Sequence, residues 1–270
     1  MDIQNRVLEI KNTVWYPVSI FYAHNDLGKL LSAIQTFYNK HKEWIEYFSF
    51  YISSFQGERL NMVFSSPRAN KEVLYNLIDE FFACFLLSYP SEKEDNFPYE
   101  KEMWRNYDNN SIEWNRFNIP QNVLFDDTTQ KISQYSALLI LELYDEELDY
   151  TNNTAILLAF FMVKIYKLSL HDPLKKAVDT CIRLNDQPVA ENMEILNQYW
   201  LYQPEKTAAY YYEEWSRIVE TIYREKGLEK GFDFLQLVFV SLLNYNVDLL
   251  NQISNLIRKW DMPARIIFRP

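Results

Sequence analysis

The stretch WYPVSIFYAHNDLGKLLSAI, residues 15–34, decides the fold. Its opening is aromatic and β-branched, and Val18, Ile20 and Tyr22 recur with period two, as in a strand with one buried face. Asp26 then stands as a helix start. Leu27, Leu30, Leu31, Ile34, Phe37 and Tyr38 follow at helical spacing with polar residues between them, which predicts a helix to about His41. Further along, IEYFSFYIS at 45–53 sets Phe48, Phe50 and Ile52 against Tyr47, Ser49 and Tyr51, and RLNMVFS at 59–65 sets Leu60, Met62 and Phe64 against Arg59, Asn61 and Val63. The turn Phe55-Gln56-Gly57-Glu58 between them makes the pair an antiparallel hairpin. From 70 to 88 a broad helical stripe carries Val73, Leu74, Leu77, Ile78, Phe81, Phe82 and Phe85. Strand, helix, strand, strand, helix is the beginning of a ferredoxin-like split βαβ arrangement.

Residues 89–120 change in composition, with Pro90, Pro98 and Pro120, an acidic run at 92–95 and the turn signal Asp108-Asn109-Asn110, yet also Trp104, Trp114 and Phe117. They read as a long, partly packed connection with a short strand at 112–117. After the helix start Asp126-Asp127-Thr128-Thr129, everything to Trp260 reads as helix, broken at 150–153, 171–173, 185–188, 203–205 and 227–231. No fixed internal period supports a solenoid. Residues 264–268 are expected to supply a last strand. The expectation is therefore an α+β fold: a small ferredoxin-like mixed or antiparallel sheet with helices over 14–120, then a mainly helical half over 121–270, together one compact unit.

Composition removes several function classes. The 270 residues hold 27 Lys plus Arg against 37 Asp plus Glu, a net charge of −10, so the basic stripe of a free nucleic-acid binder is missing. Apolar residues at 48% and aromatics at 17% supply a core and exclude disorder. With 20 Tyr and 18 Phe against 4 Gly, no Gly-rich phosphate loop can be built from Gly28, Gly57, Gly227 and Gly231. Cys84 and Cys181 are too far apart for a CxxC pair or a zinc ribbon and suit a reducing compartment. There is no HExxH, His-rich tract or calcium loop, so no metal and no cofactor is expected. Nucleophilic catalysis lacks a GxSxG, and neither cysteine has a histidine near it in sequence. MDIQNRVLEIK at the start has no apolar signal segment, and the longest apolar run, 155–163, falls short of the ~20 residues of a membrane helix, so a cytoplasmic protein without a membrane partner is expected.

Four segments, WYPVSIFYAHNDLGKLLSAI, the aromatic strand after it, GERLNMVF at 57–64 and PYEKEMWRNY at 98–107, resemble the carboxy-terminal elimination domain of lanthipeptide dehydratases and the related stand-alone thiopeptide-type bacteriocin biosynthesis proteins. The resemblance implies action on a ribosomally synthesised peptide: lyase-type elimination of glutamate from a glutamylated Ser or Thr or, as in some stand-alone relatives, closure of a six-membered nitrogen ring from two dehydroalanines. It implies a precursor peptide as partner and a separate glutamylating dehydratase subunit, which would leave transfer RNA to that subunit. Elimination in the family uses arginines to hold the glutamyl carboxylate and stabilise enolate charge, with a histidine near the carboxy-terminus carrying the proton.

Carried over by position, the family's His-x-Arg-x-Arg strand reads Arg59-Leu60-Asn61-Met62-Val63, so both arginine positions are replaced, on the face that Arg59 shares. The family's Tyr-x-Pro-Glu-x-x-Arg-Tyr finds Tyr99, Glu102 and Arg105, with Lys101 for Pro and Asn106 for Tyr. Arg105 becomes the candidate catalytic residue; Arg59, Asn61 and Tyr99 become candidate substrate contacts. The histidines are His24, His41 and His171, and where the family's proton carrier is expected, in LQLVFVSLLNYNVDLL at 235–250, Asn244 or Asn246 stands near its place. Asn cannot shuttle a proton at neutral pH.

Several residues have two readings. Arg59 is an anion contact in a peptide groove or a hairpin arginine beside Glu58. His24 is an acid–base group or a turn histidine. Tyr211 shares a helical face with Trp215, with Tyr210 and Glu214 on another, and either holds an extended peptide or belongs to the core and rim of a helical layer. The acids at 142–149 form a solvated helix end that would attract a basic leader peptide or partner. Two functions follow: an elimination or ring-forming enzyme with Arg59 and Arg105 on carboxylate or backbone and tyrosines shaping the groove, or a catalytically degenerate subunit that binds the peptide or a partner protein.

Overall fold

The computed structural model describes residues 3–54, 56–92, 107–146, 148–169 and 206–243. They divide into two compact units, residues 1–153 with 241–244, and residues 154–240 with 245–270.

In chain order the first unit carries β1 (Leu8–Ile10), β2 (Thr13–Phe21), α1 (Leu27–His41), β3 (Tyr47–Ser53), β4 (Arg59–Pro67), α2 (Lys71–Ser88), β5 (Ser111–Trp114), α3 (Gln121–Phe125) and α4 (Asp127–Leu143). The sheet runs β1-β2-β4-β3, with β5 also on β2, and every pairing is antiparallel. β1 and β5 share the outer side of β2 end to end, Leu8 opposite Trp15 and Ile112 opposite Ile20. The spatial order β5-β2-β4-β3 is the ferredoxin-like one, so the α+β expectation holds and the sheet is antiparallel rather than mixed.

Period two fixes the faces. Val14, Tyr16, Val18 and Ile20 of β2 line up with Leu60, Met62 and Phe64 of β4 and Phe48, Phe50 and Ile52 of β3. Against this face lies Phe37 of α1, whose ring stands 5.6 Å from Phe64 and 5.4 Å from Phe82 of α2. Each of these fully buried phenylalanines contributes about 1.5–3 kcal/mol by burial alone. The opposite face is divided. One end is apolar, where Trp15, Tyr47 and Val63 pack under Ile119 and Val123. The other end carries Ser19, Asn61 and Arg59, all buried.

The second unit contains most of α5 (Tyr150–Ser169), α6 (Lys206–Lys226) and most of α7 (Leu228–Leu243). Its core centres on Phe161, stacked 4.4 Å from Phe239 and 5.6 Å from the fully buried Trp215. Tyr223 Oη donates to the Ile165 carbonyl (2.9 Å), tying α6 to α5. No described helix is long and apolar enough to cross a membrane.

Two helix breaks differ from expectation. The sequence places one at 150–153, whereas α5 begins at Tyr150 and the chain is non-helical just before it. Asn153, 1% exposed, acts from inside the helix. Its amide donates to the carbonyls of Asp145 (2.7 Å) and Leu148 (2.9 Å) and accepts from the Asp145 amide (2.9 Å). The same side chain that favours turns therefore satisfies the turn preceding the helix. The break expected at 227–231 narrows to Gly227, whose φ of +79° ends α6 before α7 starts at Leu228. The strand expected at 264–268 and the breaks at 171–173, 185–188 and 203–205 lie outside the described residues.

Candidate functional site

The end of the β2–β4 pair gathers polar groups that a folded core ordinarily avoids. Arg59 opens β4 opposite Phe21, on the face of Ser19 and Asn61. Only 5% of it is exposed, and its Nε and Nη1 have no hydrogen-bond partner. Its guanidinium carbon lies 5.4 Å from the Phe21 ring centre, Phe21 stacks on Tyr107 at 4.7 Å, and the Arg116 guanidinium meets Tyr107 at 5.7 Å. Cation–π contact holds Arg59 in place without using its donors. Burial pulls its pKa down, while Tyr107 acts in the opposite sense. Gly57 makes the close approach possible: at φ +120° a Cβ there would sit 3.2 Å from the Phe21 ring.

One step along the strand, Ser19 Oγ donates to Asn61 Oδ1 (2.7 Å). Val63, a step further, is part of the apolar cluster with Trp15 and Tyr47. The cationic end of this face is thus Arg59, and its centre is a closed neutral pair.

His24 sits at the same end of the sheet. The chain leaves β2 with Tyr22 N–H donating to the Glu58 carbonyl (3.0 Å), and the His24 amide then donates to Glu58 Oε2 (2.9 Å). The imidazole Nδ1 is 3.6 Å from Glu58 Oε1. The ring packs 4.5 Å from the Tyr150 ring, and Nε2 is buried without a hydrogen-bond partner. Burial lowers the His24 pKa, opposed by the Glu58 carboxylate and the main chain of Ser53 and Arg59, so the ring is neutral at neutral pH.

The connection that follows α2 is anchored here too. Ala23 N–H donates to Ser91 Oγ (3.0 Å), Ser91 N–H donates to Asn110 Oδ1 (2.8 Å), and the Asn109 and Asn110 amides both donate to the Ser91 carbonyl (3.0 Å each). Asn110 N–H reaches the Phe21 carbonyl (2.7 Å) and Tyr107 N–H the Gln56 carbonyl (3.2 Å). Glu92 and Tyr107, the described residues either side of the segment bearing Tyr99 and Arg105, are therefore tied to this end of the sheet; Tyr99 and Arg105 themselves lie outside the described residues.

Arg59 and Asn61 come together on one face, as their spacing predicts. Tyr211 lies in the second unit, 8% exposed, on the helix face of Trp215, while Tyr210 is exposed. Sequence reasoning passed over Glu58 as the partner of His24, Tyr107 as part of the ring column, and Ser91 as the clasp. The Asp108-Asn109-Asn110 turn signal was the available hint of the last. A groove of about 790 Å³ runs between α1 and α2, with Lys40, Phe81, Cys84 and Phe85 in its lining, but no unpaired buried polar group is among its lining residues. Among the described residues no group of three or more His, Cys, Asp or Glu is placed to hold a metal ion.

Among solved structures, the pyridine synthase TbtD from thiomuracin biosynthesis superposes with a TM-score of 0.62 over 92% of this chain and 97% of its own, at 12% sequence identity. The chain has the fold of that pyridine synthase. At so low an identity the likeness is one of fold, and it extends over nearly the whole of both chains. No family model matches the chain, and no curated protein matches it.

Proposed function

We propose that this chain modifies a ribosomally synthesised peptide, by eliminating glutamate from a glutamylated Ser or Thr or by closing a six-membered nitrogen ring, with the peptide held at the Arg59 end of the β2–β4 pair. The observation that carries this reading is the buried guanidinium of Arg59, with Nε and Nη1 free of hydrogen-bond partners, in a chain that has the fold of a pyridine synthase. A desolvated, unpaired cation is unfavourable unless an oxygen ligand completes it. A glutamyl carboxylate, or the acyl oxygen that gains charge as a neighbouring carbon loses its proton, is such a ligand. Arg105 and Tyr99 belong to the site in this reading, on a segment whose flanking residues are tied beside it, and Tyr211, in the second unit, is a separate candidate peptide contact. A separate subunit supplies the glutamyl group.

A second reading, a peptide- or partner-binding subunit without catalysis, is favoured by Asn61 and Val63, which stand where the related domains carry arginine and are respectively sealed by Ser19 and packed among apolar rings. Mass spectrometry separates the two. The chain is incubated with a synthetic peptide carrying O-glutamyl-serine and, separately, with one carrying two dehydroalanines. Loss of one glutamic acid from the first, or conversion of the second to a cyclised product, supports the enzyme; tight binding of both with no mass change supports the binding subunit. Neither binding nor conversion rejects both.

A further inference from the structure

Among the described residues β5 pairs with β2 alone, so its outer side is an edge of the sheet. In an antiparallel pair, successive residues turn their main-chain groups alternately toward the partner and away from it. Asn115 N–H donates to the Pro17 carbonyl (2.8 Å), which fixes the phase: with Ser19 opposite Glu113 and Phe21 opposite Ser111, residues 111, 113 and 115 face β2. The N–H and C=O groups of Ile112 and Trp114 therefore point outward, and no main-chain bond ties them to another described segment. Asn110 and Asn115, at φ +59° and +56°, turn the chain away at either end and limit the open ladder to these two residues.

A cavity of about 530 Å³ lies along that edge. Residues 112–116 all line it, and because side chains of a strand alternate between faces, an unbroken run fits a space against the rim rather than over one face. Asn5 and Arg6 form its other wall. The Asn115 amide reaches the Asn5 carbonyl (3.4 Å) at one end, beside Trp114. The other end, at Ser111, belongs to the same row as Phe21 and Arg59. Arg116 joins the two places: it lines the cavity, and its guanidinium stands 5.7 Å from the Tyr107 ring that stacks on Phe21 beside Arg59.

We propose that this edge docks an extended stretch of the peptide substrate as an added strand, held by the main-chain groups of Ile112 and Trp114 and leading the reacting residue to Arg59. The inference rests on the reading of the chain as a peptide-modifying protein. The two residues offer two N–H donors and two carbonyl acceptors, which recognise a peptide backbone without reading its side chains. The added strand stands three strand spacings, about 14 Å, from β4, so about four or five extended residues separate the docked stretch from the residue at Arg59. On one face its side chains meet Glu113 and Arg116, which satisfy each other (3.0 Å), so no charge is required of them. On the other they meet Trp114, fixed by its Nε1 bond to Asp79 (3.1 Å) and by the Tyr75 ring at 4.5 Å.

The test uses the full chain and an alanine-flanked peptide with serine at its centre, with and without the O-glutamyl group. Calorimetry reads binding, and amide hydrogen exchange is resolved to single residues. In the free chain the Ile112 and Trp114 amides should exchange at least about tenfold faster than that of Glu113, and either peptide should slow them by at least about tenfold while leaving Glu113 unchanged. I112P removes an outward donor and fills the edge without taking a bond from β2, so it should weaken both peptides by about tenfold at an almost unchanged thermal midpoint. Ile112 and Trp114 amides already protected in the free chain overturn the proposal, as do peptides that leave their exchange unaltered or bind I112P like the parent. A dimer that I112P dissociates also overturns it, because the edge then pairs with a second copy. If I112P does not fold, exchange in the parent chain decides alone. The mass of the glutamyl peptide is followed in parallel: glutamate loss with an indifferent edge strikes this inference and spares the enzyme, whereas protection of the edge with no mass change supports docking and strikes elimination.

Discussion

Replacing Arg59 by methionine should stabilise the free protein and weaken its hold on substrate. The guanidinium is 5% exposed and leaves Nε and Nη1 unpaired. A buried donor without a partner costs about 1–3 kcal/mol, more when charged. Against this, the Phe21 ring 5.4 Å away returns about 0.5–2 kcal/mol. Methionine preserves an unbranched stem over Phe21 and removes charge and donors together, so R59M should gain about 1–4 kcal/mol, the range found when buried charges give way to apolar residues. At about 2–4 °C per kcal/mol for proteins near this size, the thermal midpoint should rise by several degrees in calorimetry. Titration with the O-glutamyl-serine peptide should meanwhile show at least about tenfold weaker binding, since a charge-assisted hydrogen bond worth about 1.5–3 kcal/mol is lost. The opposing signs are what identify a cation reserved for a ligand. A midpoint that falls in R59M would refute the reasoning, because it would mean that Arg59 is satisfied within the fold and holds it together.

Two further outcomes can be measured on the protein alone. N153A removes the side chain that caps both Asp145 and Leu148, and the loss of three partly buried hydrogen bonds should lower stability by about 1–3 kcal/mol; a change under about 0.5 kcal/mol in urea unfolding would show that the turn before α5 is held by something else. Tyr16 and Tyr22, whose pKa values burial pushes up to about 12, should make the fold alkali-sensitive. Their phenols favour the protonated form in the native state, so the stability they contribute is complete below about 10 and lost as pH rises toward 12. Thermal midpoints across that window should fall together with the rise of tyrosinate absorbance, and full ionisation of the buried tyrosines in a still-folded chain would contradict it.

The sheet was legible because it obeys period two. Once Leu60 and Met62 are inward on one side, Arg59 and Asn61 must share the other, and the observed register against Ser19 and Phe21 follows. What escaped depends on register and on contacts between distant segments. Glu58 serves His24 only because β4 returns beside the end of β2, and nothing in the local sequence of either marks the pair. Tyr107 meets Phe21 only because Ser91 and Asn110 draw the long connection back to the sheet. The break expected at 150–153 falls instead before Tyr150, because the Asn153 side chain bonds back to the preceding turn, an arrangement set by tertiary hydrogen bonding rather than by propensity.

The net charge of −10 describes the chain as a whole and is a poor guide to this site. On the sheet face of Arg59, the neighbouring acid is Glu113 of β5, opposite Ser19, and its carboxylate is engaged by Arg116 Nε at 3.0 Å. Glu58 adjoins Arg59 in sequence but belongs to the opposite side of the strand, where it faces His24. A protein selected only for stability would have paired Arg59 with one of these acids or replaced it by an apolar residue. Instead the fold directs one carboxylate to an exposed arginine and the other to a histidine, and among the described residues no carboxylate pairs with Arg59. Among the described residues, Arg59 therefore remains a buried cation at the start of β4 with Nε and Nη1 unpartnered.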